Sequence, residues 1–223
     1  MLGPTMTAPA RDESDQSATG GRKAQATRND RRILEAAREV FVADPSAPIA
    51  AVAKAADVGI SALYRRYSSK EELLRALCAQ GLRRYIDAAE AAVADDGDRW
   101  ETFARFMQRA VDADSSSLTR RLAGTFEPTE ALFEAAAHAG RLNEVLFERT
   151  RAAGAIRADA DVNDLAMILE QLASLRLGGR VRTHELRDRY LALALDGLRA
   201  PGRRPLPGPP PASEELAVRW RPR

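Results

Sequence analysis

The sequence contains little from which a metal or redox centre could be built. Its 223 residues include one cysteine, Cys78, and two histidines, His138 and His184, that lie far apart in the chain. One thiol cannot close an internal disulfide, and this set lacks the cysteine and histidine spacing of zinc sites. We therefore expect neither a metal site nor a cofactor.

Long apolar runs are also absent. None approaches the roughly 20 residues that span a bilayer, and the N-terminal segment is polar and charged, unlike the apolar core of a signal peptide. The sequence therefore predicts a soluble, cytoplasmic protein without a membrane partner.

Recognisable catalytic motifs are missing as well. The chain contains no glycine-rich phosphate loop, no His-Glu-x-x-His zinc motif, no serine nucleophile elbow and no paired cysteine and histidine. We therefore expect that the protein is not an enzyme.

The most informative segment is residues 46–77, in which apolar residues at helical spacing are interrupted by Asp57-Val58-Gly59. Asp and Gly both tolerate a left-handed backbone, so this tripeptide suits a sharp reversal. The pattern predicts two short helices joined by a turn, with Ile60, Leu63 and Tyr67 of the second helix pointing to a core. A basic, aromatic second helix of this kind favours docking to DNA.

The flanking segments complete a small helical unit. Residues 30–43 place apolar residues at i, i+3, i+4, i+7 and i+8, which predicts an amphipathic helix. Residues 68–72 contain two overlapping capping boxes, Ser68 with Glu71 and Ser69 with Glu72, so a long helix is expected to begin there.

Three segments carry a family resemblance: residues 33–37 (I-L-E-A-A), 52–58 (V-A-K-A-A-D-V) and 62–74 (A-L-Y-R-R-Y-S-S-K-E-E-L-L). Together they resemble the N-terminal domain of the TetR family of transcriptional regulators, over about residues 28–77. The chain departs from the usual family residues at Pro48, Asp57, Ala62, Arg66 and Tyr67.

The resemblance implies a function. It implies a repressor that binds a pseudo-palindromic operator in double-stranded DNA as a homodimer and is released by a small-molecule effector. By position, the candidate DNA contacts are Ser61, Ala62, Tyr64, Arg65, Arg66, Lys70 and Arg28. Tyr64 and Lys70 match family positions that usually hold phosphates, and Arg66 is expected to contact a phosphate or a guanine edge. Half-burial of Tyr64 and simple solvation of Arg65 are the alternatives.

Charge is unevenly distributed along the chain. Residues 22–85 carry 13 Lys and Arg against 7 Asp and Glu, whereas residues 87–196 carry 14 against 20. The basic excess falls on the segment that resembles a DNA-binding domain, as phosphate binding requires. A basic cluster at residues 22–32 either enters the minor groove as an arm or attracts phosphate less specifically.

The sequence predicts helices for the remainder of the chain as well. Few aromatic residues, abundant alanine and leucine, and no alternating strand pattern predict an all-α fold. We expect a disordered, basic-ended arm (1–27) and a three-helix helix-turn-helix DNA-binding domain (28–77). A larger helical effector-binding and dimerisation domain (78–200) and a Pro/Arg-rich tail (201–223) follow. Helical periodicity also predicts a short element at residues 118–123.

Two long helices near the C-terminus are apolar over wide faces, and the resemblance implies that such helices form the dimer interface. The candidate interface residues are Leu165, Ile168, Leu172, Leu175, Leu191 and Leu195. Candidates for the lining of an effector pocket come from the middle of the chain: Phe103, Phe106, Met107, Phe126, His138, Leu142, Phe147, Met167 and Gln171. For both sets, packing in the core of the monomer is the alternative.

A helical protein–protein interaction module without specific DNA binding is the competing hypothesis for the whole chain. It predicts partner binding that is insensitive to salt, whereas DNA binding weakens steeply as salt rises.

Overall fold

The computed structural model describes residues 13–113, 126–202 and 204–217, which form helices joined by loops. In chain order the helices are α1 (Glu13–Ala43), α2 (Ile49–Ala55), α3 (Ile60–Arg66), α4 (Lys70–Ala94), α5 (Arg99–Ala113), α6 (Glu130–Ala152), α7 (Val162–Ser174), α8 (Arg180–Leu198) and α9 (Ser213–Ala217). Within the described residues the β structure is limited to an isolated bridge between Ile156 and Arg199. The predicted all-α fold is confirmed, while the element expected at residues 118–123 lies outside the described part.

The first helix is longer than the sequence pattern suggested. It begins at Glu13 rather than at Asp30, so residues 13–27, for which we expected a disordered arm, lie in this helix; residues 1–12 are outside the described part. Extending an existing helix adds a hydrogen bond for each residue fixed and avoids the cost of nucleation. The extension is rich in Ala, Gln, Lys and Arg, and the pair Gly20-Gly21, at about 1 kcal/mol per glycine, does not end it.

Two clusters of buried apolar side chains form the core. Helices α1, α2 and α3 enclose one cluster with the first turns of α4, and the rest of α4 encloses the other with α5, α6, α7 and α8. Leu73 and Leu77 of α4 belong to the first cluster, and Tyr85 and Ala89 belong to the second. A helix of 25 residues is roughly 37 Å long, so α4 joins the two halves of the molecule.

The beginning of α4 follows one of the two predicted capping boxes in part. Ser69 is the N-cap, and its hydroxyl accepts a hydrogen bond from the backbone N–H of Glu72. The Glu72 carboxylate reaches one residue further back than expected, where it accepts from the N–H and the hydroxyl of Ser68 at 2.7 and 2.6 Å. These hydrogen bonds, above all the one from the Ser68 hydroxyl, hold the pKa of Glu72 below its ordinary value.

The helix α7 ends at Ser174, four residues before Gly178 of the pair Gly178-Gly179. Arginine side chains satisfy a carbonyl group at this end, since Arg176 Nη1 and Arg187 Nη2 donate to the Ala173 carbonyl at 2.9 and 3.2 Å. The free carbonyls of a helix end need such partners, and here two arginine side chains supply them for Ala173.

Half of the residues proposed for the dimer interface are core residues of the single chain. Leu165, Leu172 and Leu191 are only 2%, 5% and 1% exposed and belong to the larger cluster. The prediction is wrong for these three, because a side chain already covered by its own chain has almost no surface left for a partner. Ile168 and Leu195 are half-buried against the same cluster, and Leu175 is half-buried beyond the end of α7.

The described part of the tail is attached to the helical body. The Arg157 guanidinium binds Asp159 at 2.6 and 3.0 Å and also donates to the carbonyls of Gly197 and Arg204. Asp159 in turn accepts from the backbone N–H of Leu206 at 2.8 Å. The hydrogen bond from Arg157 holds the pKa of Asp159 far below its ordinary value.

No helix among the described residues is both long enough and apolar enough to cross a membrane.

The burial of Leu165 leads to a stability prediction. We expect Leu165→Ala to lower the free energy of unfolding by about 2–5 kcal/mol, because it opens a cavity in the larger core cluster. Leu177→Ala, at a leucine that is 65% exposed, is the matched control and should change it by less than about 0.5 kcal/mol. Urea unfolding followed by circular dichroism measures both, and equal losses would contradict the assignment of Leu165 to the core.

Candidate nucleic-acid interface

The short helix α3 exposes one face and buries the other. Leu63 of α3 and Tyr67, the residue directly after the helix, are 0% and 2% exposed within the first core cluster. Ser61, Tyr64 and Arg65 lie on the outer face, and Tyr64 is 47% exposed. None of these three forms a side-chain hydrogen bond or ion pair within the described part of the chain. Their side chains are therefore available to an external partner.

One residue of α3 points the other way from the prediction. Ile60 was expected to face the core, but it is 41% exposed. It is the first residue of the helix, directly after the N-cap Gly59, so the helix has only begun to turn towards the core. An apolar side chain thus joins the exposed face of α3.

The turn between α2 and α3 depends on Asp57. Its backbone has a positive φ of 52°, the left-handed conformation that an aspartate tolerates better than most residues. Gly59, in contrast, has an ordinary φ of −63°. Arg32 of α1 lies 3.3 Å from the Asp57 carboxylate, but Asp57 is almost fully exposed, so this ion pair adds little stability.

An aspartate on α1 fixes the end of the exposed helix. Asp30 Oδ1 accepts hydrogen bonds from Arg66 Nε at 2.6 Å and from the Tyr67 hydroxyl at 2.7 Å. Asp30 Oδ2 accepts from Arg66 Nη2 at 3.2 Å. The Arg66 guanidinium also lies 4.9 Å from the centre of the Tyr67 ring. One carboxylate therefore joins α1 to the last turn of α3 through two side chains.

The same contacts set the ionisation of these groups. Burial raises the pKa of Tyr67, and its hydrogen bond to Asp30 raises it further, so the hydroxyl remains a neutral donor. The hydrogen bond to Asp30 also raises the pKa of Arg66. The Asp30–Arg66–Tyr67 cluster is thus a charged pair with a protonated phenol attached to it.

The remaining predicted contact residues occupy different surroundings. Lys70 Nζ donates to the carbonyls of Pro45 and Ala47 at 2.9 and 2.8 Å, which leaves one of its three hydrogens for another acceptor. Ala62 is half-buried on α3. Arg28 is exposed on α1 and donates to Gln25 Oε1 at 2.8 Å.

A large open cleft lies beside this unit. It has a volume of about 1150 Å³ and is lined by residues of α1, α4, α8 and the end of α5, including Arg38, Arg84, Asp112, His184 and Arg187. A second cavity of about 320 Å³ opens near the end of α4, between Ala91 and Arg109.

Four of the residues predicted to line a pocket fill the core instead. Each of these four side chains is at most 1% exposed: Phe103, Phe106, Met107 and Phe147. Almost none of their surface is therefore accessible to water or to a ligand. Of these four, Phe106 alone contributes to the smaller cavity. The prediction is wrong for Phe103, Met107 and Phe147, because residues on the inner face of amphipathic helices pack against each other.

The other pocket candidates are scattered. Phe126 packs against the first core cluster with Leu132, away from the larger cluster. His138 pairs with Glu90 at 3.0 Å, and Leu142 is half-buried against the larger cluster. Met167 is half-buried and Gln171 is exposed on α7. No cavity described for this chain brings these residues together.

Comparisons with known proteins agree with this geometry. The sequence model of bacterial regulatory proteins of the tetR family matches residues 33–77. A model described as the transcriptional regulator SbtR-like C-terminal domain matches residues 95–200. Together the two matches span more than half of the chain, and they contain α2, α3 and the helices α5 to α8. A comparison with curated proteins gives no match.

Solved structures show the same fold. A TetR regulatory protein from Mycobacterium vanbaalenii is 27% identical, with 80% of this chain and 99% of that chain covered and a TM-score of 0.56. A TetR regulator from Streptomyces coelicolor is 24% identical, with 76% and 98% covered and a TM-score of 0.55. The regulator LfrR from Mycobacterium smegmatis, solved in complex with proflavine, is 22% identical, with 74% and 95% covered and a TM-score of 0.53.

The protein is therefore a transcriptional regulator with a helix-turn-helix N-terminal unit and a helical C-terminal unit. It belongs to the TetR family. The proteins of this family and the structural neighbours are regulators, not enzymes, which agrees with the expectation from the sequence.

Sequence reasoning missed the role of Asp30. It was placed at the start of an amphipathic helix, where an acidic residue is common. Its hydrogen bonds to Arg66 and Tyr67, which are distant in the sequence, could not be predicted from periodicity. The only signal was its place one helical turn before Ile33 and Leu34, which put it near the edge of the buried face.

The Asp30 cluster predicts a stability difference between two tyrosines. We expect Tyr67→Phe to lower the free energy of unfolding by about 0.5–1.5 kcal/mol, the net contribution of a typical hydrogen bond. Asp30→Ala should lower it by about 1–3 kcal/mol, because it leaves the buried Tyr67 hydroxyl without this acceptor. Tyr64→Phe removes a hydroxyl that makes no such bond and serves as the control in urea unfolding. Equal effects of Tyr67→Phe and Tyr64→Phe would contradict the cluster's role.

Proposed function

We propose that the protein is a repressor that binds a pseudo-palindromic operator as a homodimer and is released by a small-molecule effector. The observation that carries this proposal is the exposed face of α3. There Ser61, Tyr64 and Arg65 form no side-chain hydrogen bond or ion pair with the described residues, on a helix whose other face is anchored. An anchored helix presents its outer side chains at fixed positions, as reading a DNA groove requires. As a DNA-bound regulator, it would act in the cytoplasm.

The proposed roles of the contact residues follow from their surroundings. Arg65 is exposed and uncommitted, so it is the better candidate for a base edge or a phosphate. Arg66 already uses one edge of its guanidinium, Nε and Nη2, on Asp30. The donors at its Nη1 end remain available, and we assign them to a phosphate. Lys70 retains one hydrogen for a phosphate, and Tyr64 offers a hydroxyl and a ring.

We assign the two halves of the chain different tasks. Residues 28–77 would contact DNA, with Arg28 at the edge of the contact surface and Ala62 allowing close approach of the backbone. Residues 78–200 would hold the effector and the partner subunit. The two core clusters, which meet along α4, support this division.

The homodimer would form through the outer face of α7 and α8. Tyr190 and Leu193 are 48% and 56% exposed, and with Gly197 they are spaced i, i+3 and i+7 on α8, so they share one face. Gly197 has no atom within 4 Å of the position of a Cβ, which leaves room for close approach of another helix. Ile168, Leu175 and Leu195, which are half-buried, would border this contact.

Two-fold symmetry would compensate for the weak DNA binding of one short helix by adding a second copy of it. A helix of seven residues makes few base contacts, and two copies one DNA turn apart bind a palindrome with combined affinity. The half-sites would therefore lie about 10 base pairs apart, centre to centre.

We infer that the effector binds in the large cleft between α1 and α8. LfrR, which shares the fold, was solved with proflavine, and the cleft is large enough for a molecule of that class. A ligand there would touch α1 directly, and α1 carries Asp30. Its binding would change operator affinity through a coupling of about 1–3 kcal/mol.

Selection from random duplex DNA tests the proposed DNA binding. We expect the wild-type protein to enrich a pseudo-palindrome, and affinity for it to fall steeply with rising salt as released counterions predict. Tyr64→Ala combined with Arg65→Ala should weaken binding at least about 30-fold, since two contacts worth about 1–3 kcal/mol each are removed. Fluorescence anisotropy with the enriched duplex measures this loss.

Arg141→Ala is the control for this experiment. Arg141 is exposed on α6, outside the helix-turn-helix unit, and its replacement changes the net charge of the protein as Arg65→Ala does. It should bind like the wild type. If no sequence is enriched even at low salt, the DNA-binding proposal fails and a helical protein–protein interaction module takes its place.

The proposed interface predicts that a charge on α8 separates the subunits. Leu193→Asp should shift the protein from dimer to monomer in analytical ultracentrifugation, because it places an unpaired charge in a contact that excludes water. Val145→Asp, at a valine that is 41% exposed on α6, is the control and should leave the dimer intact. A Leu193→Asp protein that remains dimeric would place the interface elsewhere.

A further inference from the structure

A second group of polar side chains converges between α5 and α8, away from α3. Gln108 and Asp112 are spaced i, i+4 on α5, and His184 and Asp188 are spaced i, i+4 on α8. This spacing puts both members of each pair on the same face of their helix. The two helices pack against each other, and the two pairs meet across the contact.

The donor atoms of this group lie close together. The ligand atoms of Asp112, His184 and Asp188 are all within 4.8 Å of one another. His184 Nε2 lies 3.6 Å from Asp188 Oδ2. Gln108 Nε2 donates to Asp112 Oδ1 at 3.0 Å and to Asp188 Oδ1 at 2.8 Å. Four side chains from two helices thus surround one small volume.

Two carboxylates at this distance repel each other unless a positive group lies between them. In the structure the partly positive amide group of Gln108 takes that place. Rotation of the amide by half a turn would exchange its nitrogen for its oxygen. The group would then offer an amide oxygen, two carboxylate oxygens and an imidazole nitrogen, which are all metal ligands.

We propose that Gln108, Asp112, His184 and Asp188 bind a divalent first-row transition-metal ion, with Zn²⁺ as the representative. Mixed imidazole and carboxylate ligands suit Zn²⁺ and its neighbours in the row better than they suit Mg²⁺ or Ca²⁺. Tetrahedral ligands at zinc-bond distances lie about 3.4 Å apart, so rotamer adjustments of about an ångström would close the site around the ion. The site goes beyond the proposed function and does not depend on it.

The site is open to solvent and has a short path of entry. Asp112 and His184 line the large cleft, and the side chains of His184 and Asp188 are 56% and 42% exposed. Arg84 and Arg187 line the same cleft. Their positive charges repel a cation, so metal binding needs the negative charges of both Asp112 and Asp188. Removal of either carboxylate charge should weaken metal binding strongly.

Its position gives such an ion a structural consequence. Asp112 is followed by Ala113, the last residue of α5, whose carbonyl accepts a hydrogen bond from Arg38 of α1. An ion held by Asp112 and by α8 would therefore restrain the end of α5 where it contacts α1.

Direct metal binding by the full-length protein tests this proposal. Protein without a polyhistidine tag would be stripped with a chelator, then titrated with Zn²⁺ by calorimetry and with Co²⁺ by visible absorption. We expect one ion per chain, a Co²⁺ spectrum that reports nitrogen and oxygen ligands, and a higher Tm with Zn²⁺ because the ion binds only the folded state. Mg²⁺ and Ca²⁺ at equal concentration should bind at least tenfold more weakly.

Substitutions that preserve shape separate this site from accidental binding. Asp112→Asn and His184→Gln should each weaken Zn²⁺ binding at least tenfold and abolish the Co²⁺ spectrum. His138→Gln changes the other histidine, which lies on α6 and pairs with Glu90 of α4, and this variant should bind Zn²⁺ as the wild type does. Circular dichroism checks that all variants fold.

Three results would overturn the proposal. They are no binding by the wild type at about 100 µM Zn²⁺, unchanged binding by both Asp112→Asn and His184→Gln, or equal affinity for Mg²⁺.

Discussion

The orientation of α3, the proposed DNA-contacting helix, depends on one carboxylate. The helix α3 has seven residues, too few to be stable alone, so its direction is set by what holds it. Leu63 and Tyr67 bury its inner face, and Asp30 binds Arg66 and Tyr67 at its end. Apolar burial alone permits small rotations of a short helix, whereas three directional hydrogen bonds to one carboxylate restrict its angle. The angle of the helix in turn sets the direction in which the outer side chains of α3 point.

The helix α1 connects this anchor to the rest of the molecule. It carries Asp30 near its middle and, roughly 12–14 Å further along, Arg38 and Glu39. Arg38 donates to the end of α5, and Glu39 pairs with Arg180 at the start of α8 at 2.8 Å. A continuous helix transmits displacement with little loss, so events in the cleft beside α5 and α8 can reach α3 through one rigid element. Under the proposed function, this would be the route by which an effector changes operator affinity.

Local signals in the sequence predicted local structure well. The left-handed turn at Asp57 and the cap at Ser69 were both expected from residue type and spacing. Contacts between distant segments were not, because periodicity shows which face of a helix is apolar but not what covers it. For this reason Leu165 and Leu191 were assigned to a partner rather than to their own core, and the bond between Asp30 and α3 was missed. The pairs 108/112 and 184/188 were overlooked because each alone is an ordinary exposed i, i+4 pair, and only the fold brings them together.

The most direct test of this account is a crystal structure of the protein bound to the duplex that selection enriches. The account predicts that α3 of each subunit lies in the major groove, with Arg65 within hydrogen-bond distance of a base or a phosphate. It also predicts that Arg66 keeps its bonds to Asp30 when the DNA is bound. A complex in which α3 does not touch DNA, or in which Arg66 leaves Asp30 to bind a guanine, would contradict it.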